Sequence, residues 1–120
     1  MSRFQGLVEE ARARIRETTV TEIQRRMEAG ERFYLIDVRE ESEWARARIP
    51  GANWMGKGVI ERDIERAIPD TGEEIVLYCG GGHRSALAAD ALQRMGYTNV
   101  WSMAGGIGEW FRSGLRLEQG

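Results

Sequence analysis

Three short apolar runs interrupt a charge-rich chain, and each gives way to a segment of helical period. RFYLIDVR spans 32–39, EEIVLYC spans 73–79 and NVWSM spans 99–103. Runs of this length, rich in Ile, Val, Leu and aromatic residues, suit buried strands. The segments after them repeat apolar residues every three or four positions, as helices do. EESEWARAR reads as a short helix closed by the turn signal IPGAN. VIERDIERAIP places Val59, Ile60, Ile64 and Ile68 on one side, before Pro69, Asp70 and Gly72 break the chain. RSALAADALQRMG, rich in alanine and leucine, is the clearest helix and stops at Gly96. GGIGEWFRSG forms a last short one. Strands that alternate with helices predict an α/β domain with a mostly parallel sheet.

Upstream of the first run, residues 3–17 read as an amphipathic helix, with Phe4, Leu7, Val8, Ala11 and Ile15 at helical spacing. TVTEIQRRMEAG predicts a second helix capped by Thr21, with Ile23 and Met27 on one face and a stop at Gly30. The chain has 120 residues, enough for one ordinary core. Its net charge of −2 supplies no strong field toward nucleic acid or an anionic membrane. A single cysteine leaves no intramolecular disulfide and so no mark of an oxidising compartment. The N-terminal stretch carries Glu9, Glu10, Arg12, Arg14 and Arg16, offers no apolar core for a signal peptide, and no segment approaches a membrane span. The expectation is a soluble cytoplasmic protein, a monomer or weak dimer, without nucleic-acid or membrane partners.

The chemistry concentrates in YCGGGHRSAL, residues 78–87. The lone cysteine, Cys79, ends a strand and is followed by Gly80, Gly81, Gly82, the lone histidine His83, Arg84 and Ser85. In parallel α/β sheets ligands sit beyond the C-terminal ends of the strands. Glycines let backbone N–H groups turn inward, and the following helix adds unpaired N–H groups and a positive dipole end. A cysteine at the base of such an anion cradle is placed to react as a thiolate nucleophile. Arg84 adds a planar fork of donors for an oxyanion. His83 reads as a solvent-facing loop residue, with a second reading as a cation beside the thiol. Asp37 and Arg39, at the end of the neighbouring strand, support the loop or form a structural ion pair. Trp54, Met55, Trp101 and Trp110 read as packing residues.

The sequence resembles the rhodanese-like sulfurtransferases. Cys79, Gly82, Arg84 and Ser85 match their C-x-x-G-x-R-S loop; Asp37, Val38 and Arg39 look like their D-V-R strand end. RIPGA, from Arg48 to Ala52, is similar to H-I-P-G-A, and GGIGEW, from Gly105 to Trp110, to G-G-aromatic-x-x-W. The resemblance covers roughly residues 20–115. It departs at Arg48, where the family usually has His, and at Ile107, where an aromatic is usual. Gly81 stands where some thiosulfate-specialised members carry a cation.

The resemblance implies a three-layer α/β/α domain with a mainly parallel five-stranded sheet over 19–117, preceded by an N-terminal helical extension over 1–18. It implies a sulfurtransferase in which Cys79 takes a sulfane sulfur from thiosulfate or a persulfide and passes it to cyanide or a thiol. The partners expected are a small anionic sulfur donor and a thiol or protein acceptor. Gly80, Gly81, Gly82, His83, Arg84 and Ser85 bind the substrate, and no metal or organic cofactor is required. One cysteine and one histidine do not make a typical structural zinc site. Three alternatives stand beside this reading. A persulfide carrier or regulatory module would act only on a protein partner. A cysteine phosphatase uses C-x5-R, whereas the spacing here is C-x4-R and Ser85 occupies the position that needs Arg. A rhodanese-like arsenate reductase would need resolving thiols from outside the chain.

Overall fold

The chain runs α1 (Arg3–Arg12), β1 (Arg16–Thr18), α2 (Val20–Glu28), β2 (Tyr34–Asp37), α3 (Glu41–Arg46), β3 (Ala47–Arg48) and β4 (Asn53–Trp54) in its first half. Its second half continues with α4 (Ile60–Ala67), β5 (Ile75–Tyr78), α5 (His83–Arg94), β6 (Val100–Met103), α6 (Gly106–Arg112) and β7 (Glu118–Gln119). These elements come from a computed structural model that describes residues 2–120. Five strands form one sheet in the order β1-β6-β5-β2-β4, and every neighbouring pair is parallel. The short strands β3 and β7 pair antiparallel on their own.

Side-chain alternation along the strands divides the core in two. Ile36, Val38, Ile75, Leu77 and Val100 pack with Ile60, Ile64 and Ile68 of the α4 segment and with Ala88, Ala89 and Leu92 of α5. Leu35, Val76, Tyr78 and Met103 face the other way, onto Val20 and Ile23 of α2 and Trp110 of α6. The result is the expected three-layer arrangement of helices on both sheet faces. β5 lies at the centre of the sheet, buried at all four positions. The loop after it therefore starts from the most constrained strand of the molecule.

Three local expectations change. The helix over 3–17 ends at Arg12, and only Val8 and Ala11 of its apolar stripe are buried; Phe4 and Leu7 are exposed. The chain turns at 13–15, and Arg16–Thr18 instead pair with Trp101–Met103 of β6. The open edge of β6 offers backbone donors and acceptors, and satisfying them wins over a continuing helical period. The cap of α2 is Thr19, whose Oγ1 accepts from the Glu22 N–H at 3.1 Å, and not Thr21, which is exposed. β5 stops at Tyr78, so Cys79 is the first residue beyond the strand. Among the described residues no helix is long and apolar enough to cross a membrane.

Candidate active site

Cys79 leaves the end of β5 and the chain turns at once into α5, whose first residue is His83. The turn is possible because Gly82 takes φ +99°, a left-handed conformation that glycine adopts at little cost. Its backbone then faces the thiol. Gly82 N–H donates to Cys79 Sγ at 3.2 Å, and Ser85 N–H, in the first turn of α5, donates at 3.4 Å. Ser85 Oγ lies 3.6 Å from the sulfur. These contacts place partial positive charge around the sulfur of a residue that is only 1% exposed.

The helix α6 fixes this loop from behind. Ile107 N–H donates to the Cys79 carbonyl and Gly108 N–H to the Gly80 carbonyl, both at 2.9 Å. The approach is so close that a Cβ on Gly106 would stand 2.4 Å from the Cys79 oxygen, and Gly106 also has φ +56°. The paired glycines of GGIGEW thus bring a helix start against the loop backbone. Ile107, one of the two departures from the family pattern, packs against the core on the α2–α6 side. Arg48, the other, lies over the Trp44 ring at 5.1 Å, donates to the Trp44 carbonyl, and faces Glu118 at 3.7 Å.

Arg84 is not an open fork. Its Nη1 and Nη2 donate to the two carboxylate oxygens of Glu43 at 2.7 and 3.2 Å. Glu43 is itself held, because its Oε1 accepts from the Glu40 N–H at 3.0 Å in the capping box of α3. Arg84 holds the Glu43 carboxyl below the usual 4.5, foremost by the side-chain hydrogen bond. Arg84 is raised in turn, first by that bond and further by the Glu43 charge and the nearby Cys79. The guanidinium therefore pairs with the carboxylate while its charge is felt at the thiol. It also sits 3.1 Å from where a Gly80 side chain would begin.

Asp37 and Arg39 stand one strand away and engage each other. Arg39 Nη2 donates to Asp37 Oδ2 at 2.8 Å and to the Ala47 carbonyl at 2.6 Å, tying α3 and β3 to the end of β2. Both are buried, and the pair reaches no atom of Cys79 through its hydrogen bonds. Nearby, the Tyr78 hydroxyl accepts from the Ile49 N–H, and burial pushes that phenol far above its ordinary range. His83 is exposed and meets the Phe4 ring edge-on at 6.1 Å. Gly80 is partly buried and Gly81 exposed at the outer rim of the loop. Trp110 is buried, while Trp54, Met55 and Trp101 are partly so.

The structure adds residues that the sequence reading did not single out. Ser102 of β6 lies 2.7 Å, hydroxyl to hydroxyl, from Ser85, so a buried Ser102–Ser85–Cys79 chain runs beneath the loop. Its only sequence signal is a serine amid the apolar VWSM. Arg12 of α1 approaches within 3.7 Å of a Gly82 side-chain position, and its Nε is 3.4 Å from Glu17. Glu43 sits inside EESEWARAR, and its partner is 41 residues away.

Comparison with known proteins matches residues 19–113 to the rhodanese-like domain family. A Bacillus subtilis protein described as the putative sulfurtransferase YtwF is 34% identical over 80% of this chain and 90% of its own length. The probable adenylyltransferase/sulfurtransferase MoeZ of Mycobacterium tuberculosis is 33% identical over 89% of this chain. This chain spans only 28% of MoeZ. Among solved structures, a Rhodopseudomonas palustris protein of unknown function, described as a possible tyrosine phosphatase, superposes with a TM-score of 0.83 at 28% identity. That match covers 96% of this chain and 93% of the other.

Proposed function

This chain belongs to the rhodanese-like family, and on that premise we propose that it is a sulfurtransferase working through a Cys79 persulfide. The observation that carries the reading is the Cys79 sulfur accepting from Gly82 N–H and Ser85 N–H at 3.2 and 3.4 Å. Those donors stabilise negative charge on the attacking sulfur and, after one more sulfur is added, near it. Relatives described as sulfurtransferases over most of their length agree with the assignment.

In the first half-reaction the Cys79 thiolate attacks the outer sulfur of thiosulfate or of an organic persulfide. A bond forms between the two sulfurs and the donor S–S bond breaks. Sulfite, or the donor thiolate, leaves with the electron pair. In the second, cyanide or a thiolate attacks the terminal sulfur of the Cys79 persulfide, and the Cys79 thiolate departs. Each step is a two-electron displacement between sulfur atoms, and the expected kinetics are ping-pong. Asp37 and Arg39 brace the end of β2 beside the loop, and the substrate-facing surface is Gly80–Ser85. Cytoplasmic residence and transfer to a protein acceptor belong to the same proposal.

The C-x4-R spacing disfavours the phosphatase reading, since the shorter loop closes directly on sulfur through Gly82 and Ser85. Cys79→Ser replaces the thiol by a hydroxyl that stays protonated at neutral pH and cannot hold a persulfide. The variant is expected to fold normally by circular dichroism and to form no thiocyanate from thiosulfate and cyanide. Substantial thiocyanate formation by Cys79→Ser would overturn the assignment.

A further inference from the structure

The charges around the thiol are nearly balanced before any donor arrives. Two guanidinium groups approach the loop, and a carboxylate faces each: Glu43 pairs with Arg84 at 2.7 Å, and Glu17 lies 3.4 Å from Arg12. A Cys79 thiolate between them leaves the mouth with a net negative charge. Gly81, at mid-loop, adds no cation. A donor with two negative charges meets repulsion here, and the Arg84 fork is already bidentate on Glu43. Glu43 is not free to swing away, because the capping box of α3 fixes the same oxygen that Arg84 binds.

From this arrangement, and resting on the sulfurtransferase reading above, we infer that Glu43 is a specificity residue that turns the site away from doubly charged sulfonate donors and toward organic persulfides of low charge. With such a donor, R–S–SH, the Cys79 thiolate attacks the outer sulfur. The S–S bond breaks and R–S⁻ leaves with the electron pair, taking a proton from water. Nothing in that exchange needs a free oxyanion clasp. Arg84 stays on Glu43 and still offers positive charge to the thiolate and then to the persulfide. A thiosulfate ion, by contrast, must compete with Glu43 for the guanidinium.

Glu43→Gln separates charge from architecture. Glutamine at this position still closes a capping box and still accepts from Arg84, so α3 and the loop keep their supports. The experiment measures kcat/KM for charging by thiosulfate and by 2-hydroxyethyl persulfide in wild type, Glu43→Gln and Glu43→Gln/Arg84→Ala, with melting curves for each. Removing one charge from a hydrogen-bonded ion pair is expected to shift the thiosulfate-to-persulfide ratio roughly tenfold toward thiosulfate, chiefly through KM. The shift should vanish when Arg84 is also removed, and 0.5 M salt should shrink it. An unchanged ratio in Glu43→Gln, in a protein that wild-type controls show to be charged, overturns the role of Glu43 alone. Failure of wild type to take up sulfur from either donor overturns the sulfurtransferase reading and this inference with it.

Discussion

At the scale of single residues, the site turns on a thiol, a guanidinium and a carboxylate. Cys79 is buried at the base of the loop, Arg84 lies beside Gly80, and Glu43 holds Arg84 from α3. Arg84→Ala removes the cation and leaves Glu43 unpaired beside the thiol. Charging by thiosulfate should then fall roughly ten- to a hundredfold, the worth of a charge-assisted contact of about 1.5–3 kcal/mol. Discharge of a preformed persulfide to a neutral thiol should fall less, since the attacking nucleophile is then the acceptor and not the Cys79 thiolate that Arg84 favours. Arg84→Lys should recover only part of the loss, because a point charge cannot grip both oxygens of Glu43. Stopped-flow charging beside single-turnover discharge separates the two half-reactions. Equal loss in both would make Arg84 a purely structural residue.

At the scale of elements, two helices position the loop and one segment clamps the sheet edge. The start of α6 donates to the Cys79 and Gly80 carbonyls. Gly106→Ala forces a methyl group onto those carbonyls at a positive φ. It is expected to cost about 2–4 kcal/mol of stability and to lower sulfur transfer at least tenfold, read by melting and by steady-state rates. A melting temperature within a degree of wild type would show that α6 does not seat the loop as described. On the opposite side, Arg14 binds Asp90 of α5 through two hydrogen bonds at 2.9 and 2.8 Å, tying the α1–β1 turn to α5. The Asp90 carboxyl lies below its ordinary 3.8, first because of the Arg14 hydrogen bond. A depressed carboxyl contributes stability above its unfolded value, and that contribution fades as pH falls through the folded one. Asp90→Asn should therefore lower the melting temperature at pH 7 by roughly 3–5 °C. The gap to wild type should close as pH drops below 3.8. A gap that does not narrow at all as pH falls below 3.8 would point to packing rather than charge.

At the scale of the whole molecule, the layer order and the reactive loop were legible because their signals are local. Short Val-, Ile- and Leu-rich runs alternating with helical periods fix a parallel sheet, and Cys79 to Ser85 are contiguous. What escaped depends on partners distant in sequence. Nothing within 13–18 says that β6 has an open edge waiting for Arg16–Thr18. Likewise, a glutamate in a charged helix does not announce an arginine 41 residues on, nor does Ser102 announce Ser85. The glycine pair at 105 and 106 was readable as a motif, while its contact with the Cys79 carbonyl needed the fold. The central proposal is chemical: with this sheet, these two helix starts and this loop around it, Cys79 carries one transferable sulfur. Intact mass spectrometry after incubation with thiosulfate or 2-hydroxyethyl persulfide tests it most directly. The account predicts a gain of one sulfur atom that cyanide removes and that Cys79→Ala never acquires. An unchanged mass with both donors, or an equal gain in Cys79→Ala, would contradict it.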